Sequence, residues 1–216
     1  MPDRFVSNSE MPLYHIQRPE RALWGIWHIS EDEPTLSAQL EGETVPVDLT
    51  NPLKRLEFLA VRVLLKKLLE EWKLDYPGLR KDNFGKPFLR GMDLHISLSH
   101  SYPYVAAILH RNSNVGIDLE QPKAKLLRIA PRVLAADELA DAGDDVIKHC
   151  IYWCAKESLV KIYGRKDLIF CENLRVSPFV RQENGDLTGR IILANRQTDV
   201  PLSYLVSENF IVVVSA

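Results

Sequence analysis

The feature that most constrains this chain is one long amphipathic run, from Pro52 to Lys73. Leu56, Leu59, Ala60, Val63, Leu64, Leu68 and Trp72 recur at helical spacing. The apolar face they make is broad enough for a helix buried at the centre of a domain. Asn51 is placed to cap it, and Pro52 suits the first helical position, where an amide hydrogen has no partner to lose. Such a helix needs a partner layer. Short apolar runs offer one: Leu23–Ile29 before the helix, then Leu94–Leu98, Tyr104–Leu109 and Val115–Leu119 after the break at Tyr76–Pro77–Gly78. Residues 31–51 read as a polar, irregular connection. Two helical stretches follow, near 123–141 and 144–163, with Gly164 placed to end the second. Runs at 174–180, 187–194, 202–206 and 210–214 read as strands, and Asn184–Gly185 as a hairpin turn. The order of elements predicts an α+β chain and is compatible with two similar halves meeting in the middle.

Composition narrows the class of ligand. The 216 residues are 46% hydrophobic and 26% charged, with a formal net charge of −2. No global field draws the chain to nucleic acid or to an anionic membrane, and no basic stripe or aromatic platform stands out. An anionic ligand must therefore be held by a local cluster. No stretch approaches the roughly 20 apolar residues of a spanning helix. The N-terminal MPDRFVSNSE lacks an apolar signal core. Cys150, Cys154 and Cys171 are odd in number and form no C-x-x-C pair, which argues against a disulfide framework or zinc knuckle. Cytoplasmic residence is the expectation.

The unusual polar residues fall in four segments: Gly85–Lys86–Pro87, Ser97–His100, Val115–Glu120 and Trp153–Lys161. Asp118 and Glu120 stand two apart in a strand pattern, so both carboxylates project from one face. They repel unless something positive lies between them, and Mg²⁺ is a hard cation that takes one or two carboxylates with waters and phosphates. The plain alternative is a solvent-facing strand end. Glu157 and Lys161, four apart on a helix, are either a surface ion pair or a third metal ligand with a phosphate-binding lysine. In that sharper reading Lys156 also reaches phosphate oxygens. His100 beside Ser99 suits a phosphate grip, although a lone histidine is more often structural. Lys86 is either a second grip or part of a simple turn. Arg55 and Arg62, seven apart, share a helix face and are either solvated or hold another phosphate. Ser158-x-x-Lys161 fits a nucleophile pattern of serine β-lactamases, but no K-T-G partner accompanies it.

Taken in order, these segments resemble the 4'-phosphopantetheinyl transferase superfamily. VGIDLE (115–120) and WCAKESLVK (153–161) look like its two signature motifs, and GKPFL (85–89) and HISLSHSYPYVAAIL (95–109) like its upstream ones. The GKP and SLSHS segments and the chain length resemble the longer, surfactin-synthetase-activator-like branch. That resemblance implies two similar halves, 1–112 and 113–216, related by a pseudo-twofold. It also implies a monomer with its active site in the cleft between the halves. It implies transfer of the phosphopantetheine of coenzyme A to a serine of an apo acyl or peptidyl carrier protein, with Mg²⁺. A coenzyme A- or carrier-binding protein without turnover is the alternative.

Carried over residue by residue, Asp118, Glu120 and Glu157 align with the metal-binding acidic residues. Lys156 and Lys161 fall on conserved lysines, the second associated with the pyrophosphate. Ser99 and His100 fall on the pair at the 3'-phosphate side of coenzyme A, and Lys86 lies near the nucleotide. Arg55 or Arg62 resembles an arginine at the 3'-phosphate. Glu138, in LAADEL, matches a glutamate of less settled role. Ser97 replaces a common asparagine, and a basic N-terminal segment found in some relatives has no counterpart.

Overall fold

The computed structural model describes residues 13–17, 21–165 and 167–215; the N-terminal segment read above as lacking a signal core lies outside them. The chain divides into two compact units. One runs to Arg80 and resumes over Pro87–Ser113; the other takes Lys81–Lys86 and the residues from Asn114 onward.

In the first unit the elements are β1 (Leu13–Gln17), β2 (Ala22–His28), α1 (Glu33–Ala38), α2 (Pro52–Glu71), β3 (Leu79–Lys81, its last residue falling in the other unit), β4 (Pro87–Leu89), β5 (His95–Ser101) and β6 (Tyr104–His110). Four of the strands form an antiparallel sheet in the order β1-β2-β6-β5. Helix α2 is the central buried helix that its spacing predicts. It packs on β2, β5 and β6 and buries Leu59, Leu64, Leu65, Leu68 and Leu69 completely. Each such leucine contributes about 1.5–3 kcal/mol. The Asn51 side chain accepts the Lys54 amide at 3.2 Å, and Pro52 opens the helix. The connection at 31–51 is not wholly irregular. Asp32 accepts the Thr35 amide at 2.9 Å and starts α1, whose Leu36 is buried in the same core.

The second unit contains β7 (Ile117–Glu120), α3 (Lys125–Val133), α4 (Ala136–Ala142), α5 (Val146–Tyr163), α6 (Phe170–Asn173), β8 (Leu174–Val176), β9 (Asn184–Leu193), β10 (Arg196–Val206) and β11 (Ile211–Ser215). Its antiparallel sheet runs β7-β11-β10-β9-β8, with α5 packed across it. Asp145 caps α5 by accepting the Ile147 and Lys148 amides, and Gly164 ends it at φ 82°, a left-handed position that suits glycine. The helix expected over 123–141 is two. Pro131 removes an amide from the last turns of α3, and the Glu138 carboxylate takes the Ala135 amide at 2.7 Å to begin α4.

Asn184–Gly185 is not a turn. Both residues lie in β9, opposite Leu205 and Tyr204. A side chain at Gly185 would meet the Tyr204 ring at 2.9 Å, so glycine is required there by close approach rather than by chain reversal. The reversal falls after Leu193, at the far end of the hairpin. A long helix on an antiparallel sheet in each unit makes the chain mixed α+β.

Candidate active site

The site in the second unit starts from a glycine. A Cβ on Gly116 would lie 2.1 Å from the Ser158 carbonyl oxygen, so the entry to β7 and the middle of α5 touch backbone to backbone. The contact is secured around its rim. The Gly116 amide donates to Ser215 Oγ at 3.1 Å, the Ser215 amide to Gly116 O at 2.9 Å, and Ser158 Oγ to Val213 O at 3.0 Å. No larger residue permits this approach, and it brings the carboxylate strand against the helix that carries Glu157 and Lys161.

Along β7, Ile117 and Leu119 are buried and Asp118 is nearly so. Lys161 Nζ donates to Asp118 Oδ1 at 2.7 Å and to Ile117 O at 2.6 Å. One turn earlier, the Glu157 carboxyl is pushed up to about 7. Burial is the largest cause and the negative charge of Asp118 the next; Lys161 opposes the shift and Glu120 adds to it. Glu157 therefore feels both carboxylates of β7, and the three expected acidic residues share one neighbourhood. Among the described residues, however, no group of three His, Cys, Asp or Glu side chains is arranged to hold a metal ion. The Lys161 ammonium engages Asp118. The donor chemistry still suits a hard divalent cation: the side chains are oxygen donors, and Asp118 and Glu120 raise the cost of ionising Glu157, a cost that a cation would offset.

Other expected residues are placed differently. Lys156 is fully buried. Its Nζ lies 2.6 Å from Glu138 Oε2 and donates to Val133 O at 2.8 Å and Phe170 O at 3.1 Å. Burial lowers its pKa, and Glu138 opposes that shift. Glu138 also accepts the Val176 amide at 2.7 Å, so the pair ties α3, α4, α6 and β8 to α5. Successive residues on a helix point about 100° apart, and on a helix with buried residues on most of its faces this sends Lys156 inward while Glu157 faces the carboxylate strand. Ser158 is buried and bonded to Val213 O, so the β-lactamase-like nucleophile is absent.

Lys86 sits in a turn made by Asp82, which accepts the Phe84 and Lys86 amides, and by Gly85 at φ 87°. Its Nζ donates to Asn114 Oδ1 at 3.3 Å, and its stem lies against Gly164 at the C-terminal end of α5. Burial lowers the Lys86 pKa. A positive charge is favourable at that end of a helix.

In the first unit, both arginines are engaged by carboxylates. Arg55 Nε donates to Glu33 at 2.7 Å and Nη1 to Leu49 O at 3.0 Å. Arg62 is buried; it donates to Phe58 O at 2.8 Å and Glu43 at 3.3 Å, and its guanidinium covers the Phe58 ring. Of the two readings open for them, solvated charge or phosphate grip, neither describes an arginine already paired within its own unit, as Arg55 is with Glu33 and Arg62 with Glu43. Ser99 and His100 also part company, because neighbours on a strand face opposite ways. Ser99 is 6% exposed, whereas the His100 side chain is 53% exposed, with Nδ1 3.4 Å from Glu57 Oε2.

Sequence reasoning missed the packing roles of Gly116 and Ser158, and missed Glu57 altogether. The glycine inside the apolar run Val115–Leu119 is a readable sign of close backbone approach; Ser158 stands out only for a nucleophile pattern, and nothing marks Glu57.

Among curated proteins, none matches the chain significantly. A family model does match, over residues 114–214, which is nearly the whole of the second unit and includes the Gly116–Ser158 contact and the Asp118–Glu157–Lys161 group. That match is to the 4'-phosphopantetheinyl transferase superfamily, whose general activity is phosphopantetheine transfer, and it supports this superfamily for the segment it covers.

Proposed function

We propose that the protein transfers the 4'-phosphopantetheine arm of coenzyme A to a serine of an apo acyl or peptidyl carrier protein, releasing 3',5'-ADP. The observation that carries the reading is the grouping of Asp118, Glu120, Glu157 and Lys161 where β7 meets α5, inside the segment that matches the superfamily. Asp118, Glu120 and Glu157 would hold Mg²⁺, which when bound would offset charge on the departing 3',5'-ADP. Lys161 supplies a fixed positive charge to the same pyrophosphate. Glu157 is assigned to accept the proton of the carrier serine hydroxyl. The serine oxygen bonds to the β-phosphorus, the bond from that phosphorus to the bridging oxygen breaks, and the electron pair leaves with 3',5'-ADP. In the first unit, His100 is assigned to the 3'-phosphate; in the second, Lys86 is assigned to the nucleotide. A cytoplasmic monomer of the longer branch completes the proposal.

The test is incubation of the purified chain with coenzyme A, Mg²⁺ and a panel of apo carriers, read by intact mass. A gain of one phosphopantetheine is expected, and it should be lost with Asp118→Ala and with Glu157→Ala. Full activity in both variants would remove the assigned machinery.

A further inference from the structure

The first unit contains a buried carboxylate that this mechanism does not use. Glu57, on α2, is 2% exposed in a helix whose other inward residues are almost all apolar. Burying a carboxylate is costly unless several donors meet it. One hydrogen bond and two ion-pair contacts meet it. The Tyr102 amide donates to Oε1 at 2.9 Å, at the β5–β6 turn, and the contacts on Oε2 are not aligned as hydrogen bonds. Lys54 Nζ lies 2.6 Å from Oε2, and His100 Nδ1 lies 3.4 Å from the same oxygen. Two side chains that are half exposed, an ammonium and an imidazole, thus meet on one buried oxygen. Without the carboxylate a lysine and a protonated histidine would repel; with it they can stand side by side at the surface. The arrangement has the logic of a carboxylate behind a histidine, which fixes the tautomer and the ring plane of the outer group.

We infer that Glu57 is a positioning residue for anion binding: it fixes the His100 imidazole, with Nδ1 turned inward, so that the ring serves as a phosphate-binding donor. The inference rests on the proposed function for the identity of the ligand, the 3'-phosphate of coenzyme A. It separates Glu57 from a merely structural role, in which the carboxylate would only pin the β5–β6 turn through the Tyr102 amide.

The experiment is a double-mutant cycle read by calorimetric titration of the full chain with coenzyme A and with 3'-dephospho-coenzyme A. Glu57→Gln keeps an acceptor for the Tyr102 amide and removes the charge. It should weaken coenzyme A binding about tenfold, the scale of one charge-assisted hydrogen bond, and leave 3'-dephospho-coenzyme A unchanged. In a His100→Ala background the same substitution should have little further effect. Equal loss for both ligands, an undiminished loss without His100, or unchanged affinity for coenzyme A would each overturn the inference. Nitrogen NMR of the wild-type His100 ring with coenzyme A bound needs no variant to fold: protons on both ring nitrogens are expected, Nδ1 toward Glu57 and Nε2 toward the phosphate, and a neutral ring would overturn it. Wild-type protein that binds no coenzyme A would instead sink the functional reading, and this inference with it.

Discussion

Glu157→Gln should change the pH dependence of stability in a direction opposite to that of most carboxylates. The Glu157 carboxyl is raised from about 4.5 to about 7 by burial and by the charge of Asp118, with Glu120 adding and Lys161 opposing. A raised carboxyl favours the protonated form in the folded state. Its stabilisation is therefore complete below about pH 4.5 and is lost as pH rises through about 7. At 1.36 kcal/mol per pH unit the full gap is worth roughly 3 kcal/mol; screening by the solvent that reaches the partly exposed side chain reduces this to about 2 kcal/mol. Glutamine has the same shape and no charge to bury. In metal-free buffer the variant should gain about 2 kcal/mol on wild type between pH 5 and pH 8, measured as the difference of their urea midpoints multiplied by the slope. Other titrations occur in both proteins and cancel. Millimolar Mg²⁺ at pH 8 should stabilise wild type more than the variant and close the gap. A wild-type-minus-variant difference that is flat from pH 5 to pH 8 would refute the reasoning, because Glu157 would then not share its surroundings with Asp118 and Glu120.

Two further outcomes follow from the packing. Gly116→Ala places a methyl group 2.1 Å from the Ser158 carbonyl and should cost on the order of 3 kcal/mol, read by thermal melting, with transfer activity falling because Asp118 moves from Glu157. Lys156→Met leaves the buried Glu138 without its close cation, with only Arg175 at 3.9 Å, and should cost about 3–5 kcal/mol, while Lys156→Met with Glu138→Gln should recover part of that loss. If the single Lys156 variant melts like wild type and loses only activity, the lysine touches ligand after all.

Much of the fold could be read from local chemistry. Helix α2 carried its cap, its opening proline and its apolar spacing in plain sight, and Gly164 marked the end of α5. Helix α1 also had a cap in Asp32 and a proline in its first turn, but six residues with one buried leucine give too short a period to stand out. Asn184–Gly185 was misread because a glycine needed for contact looks the same in sequence as one needed for a turn. At the site, the order of Asp118, Glu120, Glu157 and Lys161 was legible because strand and helix periods place them. The inward turn of Lys156 was not. Helix α5 has buried residues on most of its faces, so periodicity cannot say which of two adjacent charged residues faces inward. Nor does helix spacing tell a free arginine from one neutralised at long range, as Arg55 is by Glu33 and Arg62 by Glu43.

The touching backbones at Gly116 and Ser158 also bear on what this lineage can change. The relative seating of the acidic strand and its opposing helix is pinned where the two main chains meet, not transmitted along the segment that joins them. The buried Leu126, Ala130, Leu134 and Ala142 belong to the core, but an insertion in the exposed stretch at 123–125 can therefore be absorbed without disturbing Asp118 and Glu157. A single added carbon at position 116 cannot.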